Sequence, residues 1–117
     1  MKYLRIKKNK EFQKIFEKGK RGFSAHLTIL YLPSEQMKMG ICVSKKHGKS
    51  VQRNRVKRLI REIFRQHHEE LKENYSYVIL PKVAEEYDYK TLEKEFLYII
   101  KRKKLRKEEN NKGKEMV

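Results

Sequence analysis

Cysteine occurs once in these 117 residues, at position 42, so no internal disulfide framework can hold the fold. That scarcity fits a reducing compartment, and the chain reads as cytoplasmic. Tryptophan is absent, which leaves seven Tyr and five Phe to anchor a core. No apolar run approaches the ~20 residues that cross a bilayer. The opening "MKYLRIKKNK" has cations but no apolar h-region, which argues against a secretory signal. No Gly/Ser-rich linker or internal repeat interrupts residues 1 to about 103. A single domain over residues 1–106 is expected, large enough to bury roughly two thirds of its unfolded surface. The tail from 107 to 117, "KEENNKGKEMV", has almost no apolar content to offset its ordering entropy and is expected to fray. The first eight residues read as a basic, mobile arm.

Acids are also scarce. Fifteen Asp and Glu face 31 Lys and Arg, a formal net charge of +16. Self-repulsion at that charge opposes compaction, so a neutralising polyanion should stabilise the fold. Nucleic acid, an anionic membrane surface and acidic proteins are the candidate partners, and nucleic acid fits the pattern of the cations best.

Apolar spacing sets the elements. A first helix is expected from Asn9, as N-cap, to a stop at Gly19, with Phe12, Ile15 and Phe16 on one stripe. "SAHLTILYL" reads as a strand ended by Pro33, and "MGICVSK" as the return arm of a hairpin with it. The segment before Leu27 can add a short strand. A long helix from about Val51 to Glu73 carries Val56, Leu59, Ile60, Ile63, Phe64, His67 and Leu71 on its apolar side. "YSYVIL" is a further strand, stopped by Pro81. Asp88 caps a last helix in which Leu92, Phe96, Ile99 and Lys103 share a face. The order α-β-β-β-α-β-α gives an α/β (α+β) sandwich, with three helices on a small mixed sheet.

The central helix concentrates the cations. "RNRVKRLIREIFR" holds Arg53, Arg55, Lys57, Arg58, Arg61 and Arg65 against one acid, Glu62. At 100° per residue from Val56, Asn54, Arg58, Arg61 and Arg65 fall between about 140° and 200°, opposite the apolar arc. A merely solvated helix face usually mixes signs for i,i+4 pairing, and this one does not. Guanidinium groups suit bidentate and stacked contacts to phosphate and base. Upstream, "SKKHGKS" places Lys45, Lys46 and Lys49 around Gly48, where helix-start amides add a phosphate-binding tendency. The glycine spacing of a P-loop is missing.

Catalytic constellations are missing too. His26, His47, His67 and His68 include no pair at the i,i+4 spacing that ligates zinc on a helix. Of the adjacent pair, one is expected to be buried against Phe64 and the other exposed. Glu69-Glu70, Glu85-Glu86 and Glu108-Glu109 read as solvated doublets. Cys42 reads as an inert thiol buried mid-strand.

"SKKHGKSVQRNRVKRLIRE" resembles the signature of the bacterial ribonuclease P protein subunit, with its RNR motif at Arg53-Asn54-Arg55. "KKNKEFQKIFEKG" resembles that family's first helix, and the likeness spans about residues 5 to 103. The resemblance implies a left-handed βαβ crossover, against the general right-handed rule. It also implies a non-catalytic subunit of an endoribonuclease. Such a subunit binds the catalytic RNA and precursor tRNA and helps the RNA remove the 5′ leader, with Mg²⁺ held mainly by the RNA. Lys45, Lys46, Arg53, Asn54, Arg55, Lys57, Arg58 and Arg61 inherit contact with the RNA subunit, and Lys49 and Arg65 extend that surface. Phe12, Phe16 and Tyr31, with Ser44 at the edge, match a cleft for the single-stranded leader. His47 stands where the family more often has an apolar residue. Two rivals remain: a ribosomal or other structural RNA-binding protein, and a nuclease acting alone.

Overall fold

A computed structural model describes residues 3–107. Its elements are β1 (Leu4–Arg5), α1 (Asn9–Lys18), β2 (Lys20–Phe23), β3 (Leu27–Pro33), β4 (Lys38–Ile41), α2 (Ser50–His67), β5 (Tyr75–Pro81) and α3 (Tyr89–Arg102). The strands form one mixed sheet in the order β1-β4-β5-β3-β2. β2 with β3 and β3 with β5 are antiparallel, whereas β1 with β4 and β4 with β5 are parallel.

Strand parity sorts the side chains onto two faces. Ile29 and Tyr31 of β3, Met39 of β4, and Tyr77 and Ile79 of β5 join Val56, Ile60, Ile63, Phe64, Leu92, Phe96 and Ile99 in the larger core, beneath α2 and α3. On the other face Leu30 and Val78 meet Ile6 and Ile15, and α1 covers them. The molecule therefore has three layers, with α1 alone on its side. Phe64 is fully buried, ringed by Tyr3, Tyr77, Phe96 and His68. Its burial contributes about 1.5–3 kcal/mol.

The expected order of helices and strands stands, with β1 added at its head. The expected hairpin does not form. β5 lies between β3 and β4, pairing Ile79 with Ile29 on one side and with Ile41 on the other. Alternation identifies a strand but does not name its neighbours. The physical reason is in β5 itself: Ser76, Tyr77, Val78 and Ile79 are all buried, which demands a covered central position. β4, α2 and β5 thus make the βαβ crossover that the resemblance describes as left-handed.

Boundaries shift elsewhere. Residues 3–8 do not form a loose arm: β1 pairs with β4, Ile6 is buried and Tyr3 stacks edgewise on Phe64. Asn9 is the first helical residue of α1, and the capping position is Lys8, whose side chain makes no cap. α2 ends at His67, not Glu73, because a 3-10 turn follows and Leu71 extends into a bridge with Arg106. Pro33 and Pro81 are the last residues of their strands and do not lie beyond them. Asp88 caps α3 as expected, accepting from Thr91 N–H at 3.0 Å. Lys107 is tied back, its N–H donating to Glu70 O at 2.9 Å, and the rest of the expected tail lies outside the described residues.

Candidate nucleic-acid interface

The loop between β4 and α2 is built by its own side chains. Ser44 Oγ accepts from Lys46 N–H at 3.3 Å, and Ser44 N–H donates to His47 Nδ1 at 3.0 Å. His47 then carries its proton on Nε2, which donates to Pro81 O at 2.6 Å. One imidazole therefore bolts the loop to the end of β5. Gly48 follows at φ 107°, and a Cβ there would lie 2.1 Å from Gln52 Oε1. That Gln52 oxygen accepts from Lys49 N–H at 2.8 Å and so starts α2. Lys45, Lys46 and Lys49 are left exposed on the turn.

The RNR residues divide their work. Arg53 is half-buried and folds back, donating to Gly48 O and Ser50 Oγ, each at 3.2 Å. It braces the loop. Asn54, Arg58 and Arg61 are exposed on the far side of α2 from the core, as their spacing predicts, and Arg55 is exposed on its flank, beside residues 83–87. Arg65 shares that side but is engaged by Glu62, whose carboxyl is held below its ordinary range, first by this hydrogen bond. Lys57 is half-buried and turns toward α1.

Across from it, α1 and the end of β4 enclose a groove of about 420 Å³. Asn9, Phe12, Gln13 and Phe16 form one wall at helical spacing; Cys42 and Lys57 lie opposite. Both Phe rings are half-buried, so each packs on the sheet and still offers surface to the groove. Asn9, Gln13 and Cys42 were not foreseen as lining residues; the first two share the stripe of Phe12 and Phe16, a usable signal.

Tyr31 is not in this groove. It is only 7% exposed and lies on the opposite face, edge-on to Tyr75 in the α2/α3 core. The sequence placed it with Ile29 correctly, but α1 covers the other parity, represented by Leu30. Ser44 also lies outside the groove lining and instead organises the basic loop. Cys42 follows β4 rather than sitting inside it and is half-buried, with burial pushing its thiol pKa up.

A larger hollow, about 600 Å³, lies between the basic loop and residues 83–87. Glu85 and Glu86 share it with Lys46 and Arg55, so its charge is mixed. Tyr87 lines that hollow too, whereas the smaller groove sets two Phe rings beside Lys57 with no carboxylate in its lining. Among the described residues no three His, Cys, Asp or Glu side chains converge to hold a metal. His67 and His68 are both half-buried rather than one in and one out: His67 bridges Glu70 and Glu93 at 2.9 and 2.8 Å, and His68 stacks on Phe64. No helix among the described residues is long and apolar enough to cross a membrane.

Comparison with known proteins identifies the family. The family model "Ribonuclease P" matches residues 1–104. The chain is 40% identical over 102 residues to the ribonuclease P protein component of Streptococcus agalactiae, covering 86% of this chain and 94% of that one. It is 38% identical over 107 residues to the component from Clostridium botulinum, covering 87% and 96%. Among solved structures it resembles the RNase P protein of Staphylococcus aureus, with a TM-score of 0.79, 28% identity, and 88% and 97% of the two chains covered. The RNase P protein of Thermotoga maritima gives a TM-score of 0.76 at 28% identity, with 84% and 96% covered. With a family match across nearly its whole length, on a fold that carries the basic loop, the RNR helix and the aromatic groove, the chain belongs to the ribonuclease P protein family.

Proposed function

We propose that this chain binds the catalytic RNA of ribonuclease P through its basic loop and α2, and holds the single-stranded 5′ leader of precursor tRNA in the α1 groove. The RNA performs the cleavage, and the protein positions the substrate. The observation that carries this reading is continuity: Lys57 leaves the cationic helix and enters the groove lined by Phe12 and Phe16. A strand emerging from the RNA at α2 would meet stacking surfaces at once.

The chemistry suits varied leaders. Base–aromatic stacking contributes ~1–3 kcal/mol per base and tolerates any sequence, while cations follow the phosphates. Lys45, Lys46, Lys49, Asn54, Arg55, Arg58 and Arg61 present exposed donors to phosphate on the other side. Arg53 supports them from behind by holding Gly48 O. Mg²⁺ is assigned to the RNA, as the family resemblance implies. The protein would strengthen its use by fixing RNA geometry.

The test is cleavage of leader-bearing precursor tRNA at low Mg²⁺ by the RNA subunit alone, this protein alone, and both. Activity confined to the mixture, or strongly raised in it, is expected. Cleavage by the protein alone would make it a nuclease, and no effect in any mixture would point to a structural RNA-binding role.

A further inference from the structure

Phe23 is 58% exposed on β2, a large aromatic ring with no role in the core. Its neighbour Gly22 faces α3, where a Cβ would lie 2.5 Å from Ile99 Cγ2. By strand alternation Phe23 therefore points to the opposite face, the one that carries α1.

Register then connects it to the groove. Phe23 pairs with Thr28, and Thr28 with Leu80. Ile41 pairs with Ile79, and Cys42 N–H donates to Ile79 O, which sets Cys42 beside Leu80. Cys42, Leu80, Thr28 and Phe23 thus form one row across four strands. The adjacent row, Gly40, Val78, Leu30 and Arg21, is the one α1 lies over: Phe12 packs on Gly40, Leu30 and Val78 are buried with Ile15, and Arg21 Nη2 donates to Phe16 O at 3.2 Å. The row that ends at Phe23 runs alongside the helix with Thr28, Leu80 and Cys42 only half-buried. It begins at the groove and continues it.

We propose that the leader path continues along α1 over this row, and that Phe23 stacks a leader base farther from the cleavage site than the bases on Phe12 and Phe16. The inference rests on the leader reading of the groove. Charge is arranged for a strand: Lys57 stands at one end, and exposed Arg21 and Lys82 stand at the other, with an uncharged floor between. Lys82 is fixed there by donating to Ser24 O at 2.8 Å. Three interstrand steps span about 14 Å, about four nucleotides at the ~3.4 Å rise of a stacked strand. The α2 end, nearest the proposed RNA subunit, is the end nearer the cleavage site.

The experiment measures affinity of the reconstituted ribonucleoprotein for precursor tRNAs whose leaders are shortened one nucleotide at a time, with wild type, Phe23→Ala, Phe23→Trp and Phe12→Ala. For long leaders Phe23→Ala should lose about fivefold or more. It should converge on wild type once the leader is too short to reach, and Phe23→Trp should restore the long-leader affinity. Phe12→Ala should lose affinity for short and long leaders alike. If Phe23→Ala matches wild type at every length while Phe12→Ala is weakened, the path stops at Phe16 and the proposal falls alone. If neither variant depends on the leader, the groove reading falls with it. Equal loss by Phe23→Ala on mature tRNA would assign the ring to assembly, and a dimer in sedimentation that Phe23→Ala dissolves, without a leader effect, would assign it to a second copy. Either result overturns the proposal.

Discussion

At the scale of single residues, Phe12 and Gly40 are mutually dependent. A Cβ at position 40 would lie 2.6 Å from Phe12 Cε1, so the ring packs directly on the strand backbone. Phe12→Ala should weaken precursor tRNA binding about fivefold or more while leaving mature tRNA binding unchanged. Gly40→Ala should shift the same ratio in the same direction, by displacing the ring rather than deleting it. Paired affinity measurements on the two RNAs check both. His67 makes a different prediction. Burial pushes its pKa down, but hydrogen bonds to Glu93 and Glu70 outweigh that and hold it above the ordinary histidine range. A raised folded pKa means stability that is complete below the ordinary value and is lost as pH rises through the folded one. The loss should be on the order of 1 kcal/mol, because the site is partly solvated. Urea unfolding across that window should show the decline in wild type and a flatter profile in His67→Gln. The spacing of Phe12 and Phe16 was legible because a helix stripe is a property of one segment. Tyr31 was misplaced because a strand has two faces, and which of them α1 covers is decided by tertiary packing alone.

Among the elements, α2 was read most completely. Its buried positions Val56, Ile60, Ile63 and Phe64 and its exposed arginines follow from 3.6-residue periodicity, with nothing borrowed from the rest of the chain. Its end could not be read this way, since Leu71 continues the apolar pattern and yet is buried from an extended bridge. Arg58→Ala with Arg61→Ala should weaken binding to the RNA subunit and lower the slope of log K against log salt by about 0.7–0.9 per lost phosphate contact. Arg65→Ala should change that slope less, because Glu62 already engages its guanidinium. A salt titration of the variants separates the three arginines by their surroundings on the same helix. The loop before α2 was legible as basic but not as a built object. The bond from His47 to Ser44 is local, but the one to Pro81 joins residues far apart in the chain, and no local pattern announces it.

Over the whole molecule, 31 Lys and Arg outnumber 15 Asp and Glu, a formal charge of +16 that ion pairing within the chain cannot offset. Duplex RNA or another polyanion should raise the thermal midpoint by several degrees at low ionic strength. The increment should vanish near 1 M salt, where the screening length is about 3 Å; calorimetry at the two salt concentrations tests this. The helix count and the order of the main elements were legible at this scale, because periodicity counts elements, whereas the neighbours of β5 and the sheet face each helix covers were not. That central strand has a consequence for biosynthesis. Ribosomes deliver a chain from its N-terminus, so β3 and β4 emerge with a vacant slot between them, and only residues 75–81 can fill it. All the arginines of α2 precede that strand. The nascent protein therefore displays its cations before its sheet can close, and a polyanion that gathers them early can serve as a template on which the last strand docks.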